Sequence, residues 1–164
     1  MLLAIDPGNE MSGWVLLDGY TPVEFGKDYN EVVLDRVDSA GLFPKHDPDV
    51  LVVVMVASYG MAVGQTVFDT CVWIGRFCER FNNGPDEFLY RKDVKMNLCG
   101  NNAAKDSNIR QALVDRFSYD RHKAKGGKGT VKDPGFFYGF KADIWQAYGL
   151  GVSYLDLQSK NGTL

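Results

Sequence analysis

Residues 2–18, LLAIDPGNEMSGWVLLD, constrain this chain more than any other stretch. An apolar run ends on a single acid, Asp6; Pro7 and Gly8 follow, and a second apolar run over 13–17 leads back. Pro with its preset φ and Gly with its free one favour a tight reversal, so the pattern predicts two antiparallel strands with a carboxylate closing the first. A carboxylate at the end of a buried strand is costly to desolvate unless something pairs with it, and a metal ion is the usual partner. The same letters also fit a plain hairpin whose Asp starts the turn. The rest of the chain has to decide between them.

Further along, the strand signals fall over 2–6, 12–18 and near 22–25, joined by connections short enough for an antiparallel meander. Asn30 is placed to cap a helix through about residue 40, with Val33, Val37 and Ala40 on its inner face. Pro44 and Pro48 bracket a linker, and 50–56 is a continuous apolar run, as a strand covered on both faces requires. An amphipathic helix is predicted over 65–81. Its apolar positions Val67, Phe68, Cys71, Val72, Ile74, Gly75 and Cys78 are wide enough to pack on a sheet and leave some over for a partner. A fifth strand over 87–90, a helix from Asp106 or Ser107 to 117 and a last helix over 141–157 complete the order. Three antiparallel strands, then a helix, a buried strand and more helices make an α/β layered sheet.

Composition narrows the classes. At 164 residues, 45% hydrophobic and 24% charged, the chain reads as a single globular domain. Its longest apolar run, 50–57, is far too short for a bilayer, and no charged leader precedes the first strand. Cys71 and Cys78 share a helix about 10 Å apart along its axis, too far to bridge. There is no CxxC and only two histidines, so zinc is disfavoured and a reducing cytoplasm fits. A net charge of −3 argues mildly against nucleic acid as a partner, but bulk charge is a weak test beside the placement of the cations. Arg121, His122, Lys123, Lys125, Lys128 and Lys132 fall among Gly126, Gly127 and Gly129, a cationic loop able to follow a phosphate backbone or simply to sit in solvent.

Four segments carry a resemblance: AIDPGNEMSGWVLLD, PDVLVVVMVASYGMAVGQTVFDTCVWIGRF, LCGNNAAKDSNIRQALVDRF and KDPGFFYGFKADIWQAYGLGVSYLD. In order and spacing they resemble the RuvC-like Holliday-junction resolvases, particularly the small bacteriophage-encoded ones. The resemblance implies an RNase H-like fold over 1–164: a five-stranded mixed sheet, three strands antiparallel and then parallel ones, with helices on both faces. It also implies a homodimer that cleaves four-way or branched DNA junctions with Mg²⁺ or Mn²⁺ in the cytoplasm, that of the host for a phage protein.

Such chemistry draws acids from distant segments, because two Mg²⁺ ions about 4 Å apart must activate water and stabilise the leaving oxygen. The resemblance assigns Asp6 as a shared ligand and Asp143, entering the last helix, as a second. Asp143 also fits a helix-start Asp favoured by the dipole. Lys141 is a candidate to position the scissile phosphate, and equally a helix-terminal surface lysine.

Two departures stand out. The family's strand-four Glu aligns with Val54, which cannot ligate, and the second acid of the last helix is replaced by Gln146, whose amide can ligate but brings no charge. Glu10 and Asp69 would serve only in a shifted site. DNA contacts are expected from Tyr59, from Lys105 and Arg110, from Arg121, Lys123, Lys125 and Lys128, and from a second basic group of Arg91, Lys92 and Lys95. Tyr59 and Phe68 could each wedge between bases or pack in the core, the core being the expectation for Phe68. Two readings therefore stand, a metal-dependent junction endonuclease and a junction-binding protein that does not cut. A phosphotransferase of the actin and sugar-kinase kind needs two such domains and is set aside.

Overall fold

The computed structural model describes residues 1–38, 48–58, 60–82 and 86–162. The chain begins with β1 (Leu2–Asp6), β2 (Met11–Asp18) and β3 (Thr21–Tyr29), then α1 (Asn30–Val37), β4 (Val50–Met55) and α2 (Gln65–Arg80). It continues with β5 (Asp86–Tyr90), α3 (Arg91–Cys99), α4 (Asp106–Phe117), the single turn α5 (Asp120–Lys123) and α6 (Ile144–Lys160). The sheet order is β3-β2-β1-β4-β5, with β1–β2 and β2–β3 antiparallel and β1–β4 and β4–β5 parallel. This is the expected five-stranded mixed sheet with helices on both faces.

Strand alternation sorts the core into two layers. Leu2, Ala4, Val15, Leu17, Val52 and Val54 face α3, α4 and α6, whereas Leu3, Ile5, Trp14, Leu16, Leu51 and Val53 face α1 and α2. β1 and β4 therefore present an apolar side chain to each layer, which is why both read as unbroken apolar runs. Among the described residues no helix is long and apolar enough to cross a membrane.

Several expectations need correction. β3 runs on to Tyr29, well past 22–25, because pairing with β2 continues through Lys27, Asp28 and Tyr29. Asn30 does not cap α1; the cap position is Tyr29. Instead Asn30 is buried, accepts a hydrogen bond from Ser12 Oγ (2.6 Å) and donates one to the Gly8 carbonyl (2.9 Å). α1 ends at Val37, and the expected extension to residue 40, together with Pro44 of the linker, falls largely outside the described residues. α3 falls where the sequence pattern predicts no helix. The final helix starts at Ile144 rather than 141, with Asp143 as its N-cap. Phe68 and Val72 are 55% and 62% exposed, so Phe68 is not a core residue.

Candidate active site

The site is built on one row across the sheet. Asp6 pairs in register with Gly13 of β2, and Gly13 pairs with Lys27 of β3. On the other side, Ile5 pairs with Val53, so the next step sets Val54 beside Asp6. Val54 in turn pairs with Leu89, and two residues on, where β5 runs into α3, stands Arg91. Residues two apart on a strand share a face, so Asp6 follows Leu2 and Ala4 onto the α6 side.

Asp143 comes down onto this row. A Cβ at Gly13 would lie 2.6 Å from the Asp143 carbonyl oxygen and 2.8 Å from its Cβ. Only glycine lets the start of α6 lie this close to β2, next door to Asp6. The residue before it, Ala142, has a φ of +41°, a left-handed conformation disfavoured for a residue with a Cβ and of a kind that concentrates at functional sites. The Asp143 side chain makes no cap hydrogen bond and instead pairs with Lys27 Nζ at 2.5 Å.

Asp6 is shielded: its side chain is 14% exposed. Its nearest cation is Arg91, whose Nη1 stands 3.4 Å from Oδ1, a long contact. The same guanidinium donates to both carboxylate oxygens of Asp106 at 3.0 Å. Burial pushes the Asp6 carboxyl up to about 6; Arg91 opposes the rise, Asp143 and Asp106 add to it, and Lys27 opposes it weakly. Three acids and two cations thus interlock, and Asp6 is the least well compensated.

A cleft of about 710 Å³ opens over this centre. Arg91, Arg110, Lys128, Lys141, Asp143 and Gln146 are among its walls.

No protein-family model matches the chain, and no curated protein matches it either. Among solved structures it is similar to Thermus thermophilus RuvC, with a TM-score of 0.66 at 13% identity, covering 99% of this chain and 96% of that one. It is also similar to T. thermophilus RuvC in complex with a Holliday junction substrate, at 0.63 and 13% with the same coverage. The fold is that of RuvC. On this RuvC-like frame, Asp6 lies at the carboxyl end of β1, where the sheet changes from antiparallel to parallel neighbours. Such switch points leave a crevice at the strand ends in open sheets.

The donor set can be tested against a metal. Among the described residues, no group of three or more His, Cys, Asp or Glu side chains lies close enough to share an ion. Val54, the residue facing the site beside Asp6, is 8% exposed and packs in the α6-side core. Mg²⁺ is commonly held by one or two carboxylates, with waters and substrate phosphate completing its shell. Two carboxylates, Asp6 and Asp143, match in number what one such ion uses and fall short of what a pair of ions needs, and both are engaged by cations here, Asp6 by Arg91 and Asp143 by Lys27.

The remaining expected residues divide. Arg110, Lys128 and Lys141 come together at the cleft with Gln146 and Asp143. Lys105 is the N-cap residue of α4, exposed. Arg121 pairs with Asp133 and Lys123 with Asp120, while Lys125 is exposed. His122 is buried and bonds Asp133 through Nε2 at 2.7 Å, clasping the glycine-rich loop. Tyr59 lies outside the described residues. Arg91 lines the cleft and pairs there with Asp6 and Asp106. Asp69 sits on α2, which packs on the opposite face of the sheet, and bonds Gln65. The residues that sequence reasoning missed are Asp106, Lys27 and Asn30. Lys27 could have been found had β3 been read through to its end.

Proposed function

We propose that this protein is a structure-specific DNA endonuclease of the RuvC type, of the small bacteriophage-encoded kind, acting on four-way or branched junctions in the cytoplasm of the host. The observation that carries the reading is the closeness of Asp6 and Asp143, distant in sequence, on the RuvC fold, with Asp143 in the wall of a cation-lined cleft. A relative of that fold has been captured with a Holliday junction.

A divalent ion, Mg²⁺ or Mn²⁺, would supply an activated water and a counter-charge for the leaving oxygen. Asp6 and Asp143 would hold it and Gln146 would offer a neutral oxygen. Lys141, exposed at the cleft mouth, would bring the backbone phosphate to this centre. A junction has two strands to cut, which calls for a homodimer. The apolar α2 surface formed by Phe68 and Val72, unusual on a solvated helix, is the face offered for it.

A second reading, a junction-binding protein that does not cut, is favoured by Val54 and by Arg91 and Lys27 standing at the two acids. One experiment separates them: nicking of a labelled four-way junction in Mg²⁺ or Mn²⁺ by this chain and by Val54→Glu. If the parent cuts, two carboxylates suffice. If only Val54→Glu cuts, the parent is a binder with a disarmed centre. If neither cuts nor binds, both readings are wrong.

A further inference from the structure

The cleft wall carries two cations that the acidic centre does not use. Arg110 projects from α4 with its guanidinium 4.9 Å from the centroid of the Trp145 ring. Gly126 lies alongside, in the left-handed region at φ +63°; a Cβ there would stand 2.9 Å from Arg110 Nη2. The loop backbone and the indole therefore hold the guanidinium in place, with its hydrogen-bonding edge left for a ligand.

Two residues further on, Lys128 lines the same cleft. Its backbone is tied on both sides: Gly135 N–H donates to the Lys128 carbonyl (2.8 Å) and Phe137 N–H to that of Gly127 (3.0 Å). The His122–Asp133 bond closes the loop behind them. Lys128 is partly buried, and both that burial and the neighbouring Arg110 pull its proton affinity down. Among the described residues no carboxylate pairs with Arg110 or Lys128. Arg110 is exposed and Lys128 partly buried, and two like charges that feel each other on one cleft wall are relieved when an anion sits between them.

We propose that Arg110 and Lys128 form a preorganised seat for a single phosphate group, with Trp145 and Gly126 as its walls. It rests on the junction reading for the source of that phosphate: one backbone phosphodiester, gripped beside the Asp6–Asp143 centre so that its neighbour in the same strand is presented to the acids. The guanidinium fork supplies two parallel donors and the lysine a point charge.

The test uses the full chain and inorganic phosphate at constant ionic strength, read by NMR on the Arg110 guanidinium and Trp145 indole signals. A saturable shift confined to these groups is expected. Arg110→Gln and Lys128→Gln should each weaken it about tenfold, and Lys160→Gln, at the far end of α6, should leave it unchanged. Arg110→Lys keeps the charge but loses the fork and the stacking, and should fall between. Lys128 sits in a loop, so its variant answers the question even if Arg110→Gln folds poorly.

The second arm measures four-way junction binding against salt. Each seat variant should reduce the salt slope by about one. Saturable phosphate binding without junction binding would sink the junction reading and leave the seat standing for a free phosphate. Junction binding with an unchanged slope, together with non-saturating phosphate shifts, would sink the seat and leave the junction reading standing.

Discussion

The two ends of α6 each hold a carboxylate in a cluster, and the clusters are opposites. At the C-terminal half, Asp156 accepts both arms of Arg116 (2.7 and 2.8 Å), the Tyr20 hydroxyl (2.8 Å) and the Asn97 amide (2.8 Å). Burial works to raise its pKa, but these bonds win and hold it at about 2. At the N-terminal end, Asp6 has one long contact to a guanidinium already bonded to Asp106, and burial prevails, lifting it to about 6. A satisfied carboxylate fastens a fold, whereas one left short of positive charge is poised to take a cation from outside.

The largest expected effect is at the unsatisfied end. Asp6→Asn should lower junction nicking at least about a hundredfold and yet stabilise the protein. Folded Asp6 binds its proton more tightly than the unfolded chain does, so its contribution to stability is present below about pH 4 and is lost as pH rises through about 6. That corresponds to about 3 kcal/mol at neutral pH. Thermal melts should place the Asn variant above the parent at pH 7, with the gap closing by pH 4. A variant that melts below the parent at pH 7 would break the contrast.

Asp156→Ala should behave in the reverse sense, destabilising by about 3 kcal/mol in denaturant titrations at pH 7, since Arg116 loses its only carboxylate partner among the described residues. Here the folded pKa is depressed, so the stabilisation is present above about pH 4 and fades as pH falls toward 2. Gly13→Ala is smaller, about 1–3 kcal/mol. Its methyl would meet the Asp143 backbone, so nicking should fall by more than the change in stability accounts for. Smallest is Tyr20→Phe, which removes one of the bonds to Asp156. It should lower stability by about 1 kcal/mol, measured the same way, and leave nicking untouched.

Legibility in the sequence follows local patterning, and what depends on distant partners escapes it. The sheet was legible because its inner strands alternate between two apolar layers or are apolar throughout, and Asp6 was legible because it interrupts such a run. α3 was not, because its sequence RKDVKMNLC is polar, buries only Val94 fully, and follows β5 with no turn residue between. Helical spacing grouped Phe68 with Ile74 but says nothing about which part of a wide apolar face the sheet will cover. Asp106 and Lys27 were missed because their meaning lies in partners far along the chain, Arg91 for one and Asp143 for the other. Asn30 looked like a helix cap, since local sequence cannot show that Ser12 and Gly8 lie against it.

The packing of α6 over β1 and β2 also sets an order of assembly. The strands with Asp6 are synthesised before the helix that completes both carboxylate clusters; Tyr20 and Asp156 are 136 positions apart. At translation speeds of roughly 5–20 residues per second, the hairpin waits on the order of ten seconds for its partner. During that interval a nascent chain carries half of each cluster and neither centre. The Asp6–Asp143 centre is therefore withheld by chain order until α6 has been made.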